Sequence, residues 1–236
     1  MVLYVVPNPE HIKVHRDAEL DPEQFTTVLK NKDLLRLDYG IFILHLMLTA
    51  SFIIVPLLLR DAGLPAADHW MVYLPVLTTS MAVIVPFVIL AEKKRKMKGV
   101  FIGAVATLVL ANIIMYFLNF NLYALIAGLW VFFCGFNLLE ATLPSLISKT
   151  APGNLKGTAM GAYSSSQFMG AFIGGTTGGW IYGEWGASYV FLFCAVAAAS
   201  WLLVALFMNA PQYLANLLIS TEDIAVENMD AFITAV

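Results

Sequence analysis

One acidic side chain lies inside an apolar stretch of the chain. Residues 132–149 read FFCGFNLLEATLPSLISK, and Glu140 is the only acid among them. Desolvation disfavours the charged form of a carboxyl group, so an acid in such surroundings usually faces a helix-bundle interior or a water-filled cavity. A carboxyl placed there could bind and release a proton. The alternative is that Glu140 only hydrogen-bonds a neighbouring helix or is held protonated.

Two helical faces combine this acid with a histidine and with aromatic and polar side chains. Residues spaced three and four apart share one face of a helix. On the face of Glu140 these are Trp130, Phe133, Asn137 and Pro144, and on the face of His45 they are Phe42, Thr49, Phe52 and Pro56. We expect His45 and Glu140 at similar depths, facing one cavity. The alternative for His45 is that it simply bridges two helices.

A glycine-rich segment, residues 158–182, contains the other candidate site residues. Tyr163 and Gln167 share a helical face with Gly170 and Gly174 and are predicted to reach the same cavity. Small residues four apart allow helices to approach closely. This surface would permit one helix to slide against another, or it would serve static tight packing. The glycine pairs are 157/161, 170/174, 174/178, 175/179 and 179/183.

The elements that must position these side chains are membrane helices. The chain has 236 residues, of which 60% are hydrophobic and 12% charged, whereas soluble domains carry about 25% charged residues. A span needs roughly 20 mostly apolar residues. The predicted fold is therefore an all-α membrane protein with six transmembrane helices. Their predicted ranges are 37–59, 70–91, 100–119, 121–147, 158–182 and 189–209.

The basic residues predict how these helices are oriented. Of 13 Lys and Arg residues, all except Arg60 fall in the N-terminal segment, in the run 92–98 (EKKRKMK) or near residues 149–156. With six spans these three regions lie on one side, which the positive-inside rule identifies as cytoplasmic. We therefore expect a multi-pass protein with both termini in the cytoplasm.

Other chemistries are not supported by the sequence. GAFIGGTTGG, residues 170–179, is not followed by the Lys of a Walker-type phosphate loop. No His and Cys cluster has metal-ligand spacing, and Cys134 and Cys194 are predicted to be inert packing thiols. EKKRKMK is explained by positive-inside bias rather than by nucleic-acid binding, and it could contact anionic lipid. We expect no catalytic residue, cofactor, metal or nucleic-acid partner, and no enzyme activity.

Three stretches resemble the C-terminal half of a major facilitator superfamily transporter. LLRLDYGIFILHLMLTASFIIVPLLL is similar to its seventh span, and AEKKRKMKGVF is similar to the loop between its eighth and ninth spans. Residues 135–183, from GFNLLEATLPSLISK to GGWIYG, resemble the tenth and eleventh spans of the drug:proton antiporter group, nearest to its YajR-like branch.

The resemblance implies half of that fold, a 3+3 inverted repeat of six helices. Residues 1–36 would be a cytoplasmic linker, 37–209 the six-helix bundle, and 210–236 the truncated start of a small ferredoxin-like domain. It also implies a secondary active transporter of a bacterial inner membrane, with proton-coupled efflux of small molecules or drugs by alternating access. An N-terminal six-helix half, in the same chain or a separate one, would complete it.

In that interpretation the residues singled out above acquire roles. Glu140 and His45 would couple transport to protons. The substrate would contact Phe42, Thr49, Phe52, Trp130, Phe133, Asn137, Tyr163 and Gln167. The alternatives are a non-transporting membrane scaffold or sensor that presents a cytoplasmic domain and, ranked last, a membrane-embedded enzyme.

Overall fold

The structure, a computed structural model, describes residues 22–93 and 96–208. These residues form seven α-helices and one short 3₁₀-helix, Ala66–Asp68. The helices are α1 (Pro22–Lys30), α2 (Lys32–Asp61), α3 (Trp70–Lys93), α4 (Met97–Leu118), α5 (Leu122–Thr150), α6 (Lys156–Trp185) and α7 (Ala187–Leu206).

The six helices α2 to α7 match the six predicted spans in order. Helix ends differ by a few residues because charge-free runs do not mark caps. Asn31 caps the start of α2 by accepting the amide hydrogens of Asp33 and Leu34, and this helix therefore begins before the predicted residue 37. Asn121 caps α5 in the same way by accepting from Ala124.

Apolar character divides these six helices. Among the described residues, α2, α3, α4, α5 and α7 are long and apolar enough to cross a membrane. Helix α6 has 30 residues, the same length as α2, but its glycines and hydroxyl side chains lower its hydropathy. The prediction that α6 is a sixth membrane helix therefore rests on its length and its few charged residues, and not on its hydropathy.

The packing order follows two related triplets, α2–α3–α4 and α5–α6–α7. The first helix of each triplet packs against the second and third helices of the other, so α2 contacts α6 and α7 while α5 contacts α3 and α4. Helices α2 and α5 also touch each other, as do α4 and α7. This exchange of partners is the arrangement expected of a 3+3 inverted repeat.

The tightest helix contact joins α2 and α6. A Cβ at Gly170 would overlap the Phe42 carbonyl, and one at Gly174 would overlap the Leu46 backbone. One turn further, a Cβ at Gly178 would lie 2.8 Å from Ala50 Cα. The predicted close approach is therefore confirmed for the pairs 170/174 and 174/178.

The other glycine face of α6 does not make such a contact. A Cβ at Gly161, Gly175 or Gly183 would have no atom within 4 Å among the described residues, and one at Gly179 would meet only Ile53 Cδ1, at 3.8 Å. Among the described residues, no helix makes the expected close approach at Gly161, Gly175, Gly179 or Gly183. The reason is that positions 174 and 175 point about 100° apart on a helix, and only one of these directions faces α2.

The predicted linker, residues 1–36, is helical over most of its described part, which contains α1 and the first turn of α2. Helix α1 packs against α6 and α2, and Val28 is buried there. The rest of the linker prediction, residues 1–21, and the predicted domain start at 210–236 lie outside the described residues.

Candidate functional site

The side chains of His45, Glu140 and Gln167 meet where α2, α5 and α6 come together. Gln167 Nε2 lies 2.8 Å from His45 Nε2, and Glu140 Oε2 lies 3.9 Å from the same nitrogen. The side chain of His45 is 13% exposed and that of Glu140 is 38% exposed. The structure thus places the two predicted titratable groups side by side.

The geometry gives His45 Nε2 two alternative partners. While this nitrogen carries no proton, the Gln167 amide can donate a hydrogen bond to it. Once protonated, it repels that amide hydrogen and can instead donate toward the Glu140 carboxylate. At 3.9 Å the second contact is too long for a hydrogen bond as it stands, so a change of protonation state would have to be accompanied by a shift of side chains.

Glu140 borders a cavity of about 520 Å³ between α3 and α5. Asn137 is the other polar residue in its wall, and the remaining lining is apolar: Met81, Ile84, Val85, Val88, Ile89 and Ala141. Asn137 Nδ2 also donates to Ser80 Oγ of α3 at 3.0 Å. A small-molecule site typically has this size and this mixture, mostly apolar with a few placed polar groups.

Aromatic rings extend the site along α2 and α5. The Phe52 ring centroid lies 6.0 Å from that of Phe133 and 5.9 Å from that of Tyr73 on α3. The imidazole of His45 lies 5.9 Å from the Phe136 ring. Such edge-on and offset contacts add about 0.5–1.5 kcal/mol per pair beyond area burial, so these rings hold α2 and α5 in a defined register.

The other predicted contact residues have different surroundings. Thr49 Oγ1 donates to the Ala171 carbonyl of α6 at 2.9 Å, so its hydroxyl is used in helix packing. Trp130 Nε1 donates to Thr79 Oγ1 at 3.0 Å, and its ring lines a separate cavity between α3, α4 and α5. The backbone of Phe42 lies against Gly170.

Two predicted contact residues are inaccessible in this conformation. Phe133 is 4% exposed and Tyr163 is 3% exposed. A ligand would reach either side chain only after movement of the surrounding helices.

One buried acid, Asp38, is not among the residues that the sequence pattern predicted. It lies two turns before His45 on α2, is 5% exposed, and its Oδ1 has no hydrogen-bond partner among the described residues. The hydroxyl of Tyr163 on α6 is likewise buried and has no hydrogen-bond partner among the described residues. The two-turn spacing from His45 is a signal that could identify Asp38, but its position beside Arg36 makes it resemble a helix-end residue.

The cysteines and acids of the described regions do not form a metal site. No group of three or more His, Cys, Asp or Glu side chains is close enough there to hold an ion. Cys134 and Cys194 are both free thiols.

Comparison with known proteins places the chain in a family. The family model for the Major Facilitator Superfamily matches residues 2–223. "Inner membrane transport protein YajR" of Escherichia coli (strain K12) is 45% identical over 217 residues, which cover 92% of this chain and 48% of that protein. An "Uncharacterized transporter" of Buchnera aphidicola subsp. Schizaphis graminum is 30% identical over 208 residues, or 88% of this chain and 53% of that protein.

The chain spans about half the length of the curated relatives it matches. Its six long helices, their exchanged packing partners and the family match over residues 2–223 agree with one another. The chain belongs to the Major Facilitator Superfamily.

Proposed function

We propose that this chain is the C-terminal six-helix half of a secondary active transporter that exchanges protons for small molecules, most simply in drug or solute efflux. Its membrane would be a bacterial inner membrane, with both termini cytoplasmic. In support, one relative is named an inner membrane transport protein, and the basic residues lie mostly on one predicted side. The half-length match leaves room for an N-terminal partner half, in the same chain or a separate one.

The observation that carries this proposal is the pairing of His45 with Glu140 beside a cavity. Their 3.9 Å separation lets the protonation state of one affect the other, and the cavity of about 520 Å³ gives a small molecule access to Glu140. A cationic or hydrogen-bonding solute near the carboxylate would compete with a proton for it. Such competition is the simplest physical basis for exchange, because binding of one favours release of the other.

The helix contacts support alternating access. In the superfamily, substrate binds near the midplane between the two halves, and rocking of one half against the other exposes it to each side in turn. Among the five described helices that are apolar enough to span a membrane, α3 is packed least, since only 22% of its apolar stretch is buried, against 50% for α2 and α5. Its free face and the cavity beside Glu140 are therefore where we place contact with substrate and with the other half.

A transport assay of the full-length protein tests this function. The protein would be reconstituted into liposomes containing a pH-sensitive dye and challenged with a panel of lipophilic cations that includes ethidium. We expect at least one cation to move in the direction opposite to the protons that flow down the imposed gradient. Addition of that cation should in turn drive proton flux, and a protonophore should stop its transport. Transport that continues after the gradient is collapsed would contradict proton coupling. Absence of any flux would favour the scaffold or sensor alternative.

Asp38→Asn separates a role in proton transfer from a role in packing. We expect lower proton-driven flux with an unchanged or raised thermal midpoint, because the change removes a buried carboxyl that lacks a hydrogen-bond partner among the described residues. Asp33→Asn is the matched control, since Asp33 is partly exposed and pairs with Arg36 on the same helix at 2.9 Å. It should change neither quantity. Normal flux with a lowered midpoint for Asp38→Asn would assign this residue to packing alone.

A further inference from the structure

A second cavity, of about 510 Å³, lies between α3, α4 and α5 and does not include Glu140. Its wall on the α4 side includes Lys96, Gly99, Gly103 and Thr107, which recur every three or four residues on one helical face, with Val100 and Ala104 between them. Trp130 and Cys134 belong to the opposite wall, on α5. The cavity is thus a groove that runs along α4, distinct from the candidate site above.

The groove is apolar along its length and cationic at one end. A Cβ at Gly99 or Gly103 would have no atom within 4 Å among the described residues, so the wall there is open. Lys96 is an exposed residue that immediately precedes α4 and lines the groove, and it forms none of the ion pairs seen among the described residues. The same stretch of sequence, residues 93–98, carries five Lys and Arg residues.

The dimensions of the groove match one leaflet of a membrane. From Lys96 to Thr107 the helix rises about 16 Å at 1.5 Å per residue. One leaflet of a hydrocarbon core about 30 Å thick is roughly 15 Å deep. A cation at the membrane surface with an apolar channel beneath it complements a lipid that has an anionic headgroup and an extended acyl chain.

We propose that this groove binds one anionic phospholipid, with an acyl chain along Gly99 and Gly103 and the phosphate at Lys96. The lysine supplies the charge that selects an anionic headgroup over a zwitterionic one. The glycines supply the space that a side chain would otherwise fill. This inference does not rest on the proposed transport activity, because lipid binding is measured without transport.

Two pairs of variants test the site in the purified full-length protein, with phosphatidylglycerol as the probe and binding measured by native mass spectrometry. Gly103→Leu fills the groove, while Gly161→Leu adds the same side chain at an open position on α6. Lys96→Gln removes the charge, while Lys98→Gln removes an exposed charge that does not line the groove. We expect each groove variant to weaken phosphatidylglycerol binding roughly fivefold or more, and each control to leave it unchanged.

The lipid dependence supplies the second criterion. Phosphatidylcholine should bind more weakly than phosphatidylglycerol to the unaltered protein and should be insensitive to Lys96→Gln. Equal binding of the two lipids, or unchanged phosphatidylglycerol binding in both groove variants, would overturn the proposal. The proposal would also be overturned if ethidium bound in the groove and lipid did not. It would equally be overturned if a groove variant changed only the self-association of the protein. If Gly103→Leu does not fold, Lys96→Gln, a change at an exposed position, still decides the result.

Discussion

Glu140→Gln is expected to abolish proton-driven transport by the full-length protein while leaving it folded and inserted. Glutamine has nearly the same size and shape as glutamate, but it replaces one acceptor oxygen with an NH₂ donor and cannot gain or lose a proton at neutral pH. Glu140 borders the cavity and lies 3.9 Å from His45 Nε2, so the change alters charge without creating a void. The measurement is solute-driven proton flux in liposomes, with the thermal midpoint recorded in parallel.

A second assay distinguishes lost coupling from lost binding. Exchange of labelled for unlabelled solute needs no net proton movement, so it should persist in Glu140→Gln. Glu184→Gln makes the same chemical change at an exposed position near the end of α6 and should leave flux normal. If Glu140→Gln showed proton-driven flux at the unaltered rate, this carboxyl would have no role in proton coupling.

Gly174→Ala is expected to destabilise the helix bundle, whereas Gly175→Ala is expected to leave it unchanged or slightly more stable. A methyl group at position 174 would overlap the Leu46 backbone and approach Thr49 Oγ1 on α2, and backbone atoms cannot rotate away. Overpacking costs about 1–3 kcal/mol. The same change at Gly175 meets no atom within 4 Å among the described residues and gains up to about 1 kcal/mol of helix propensity.

The two variants should therefore differ by the overpacking cost alone, roughly 1–3 kcal/mol in the free energy of unfolding. Adjacent positions on one helix make the comparison well matched, since helix propensity changes equally in both. Denaturant unfolding in detergent, followed by circular dichroism, measures the difference. Equal stabilities would show that α2 and α6 separate readily at this contact. A stable but inactive Gly174→Ala would favour a sliding α6 over static packing.

The sequence alone determined the number and order of the long helices. Length, apolar content and placement of charge are local properties, and each predicted span from 37–59 to 189–209 corresponds to a helix from α2 to α7. Helical spacing also grouped His45 with Thr49 and Glu140 with Asn137, because a period of 3.6 residues assigns side chains to faces. Membership of the superfamily is likewise a property of the sequence, since it rests on residue identities along the chain and not on how the helices pack.

Only the tertiary structure decided which face meets which partner. Periodicity defines a face but not the rotation of a helix relative to its neighbours, and that rotation is set by the packing of complementary surfaces. The packed bundle therefore decides that Gly174 rather than Gly175 touches α2, that Gln167 lies against His45, and that Trp130 belongs to a different cavity from Glu140. The burial of Asp38 could not be predicted for the same reason, because burial of a side chain near a helix end depends on neighbours that are distant in sequence.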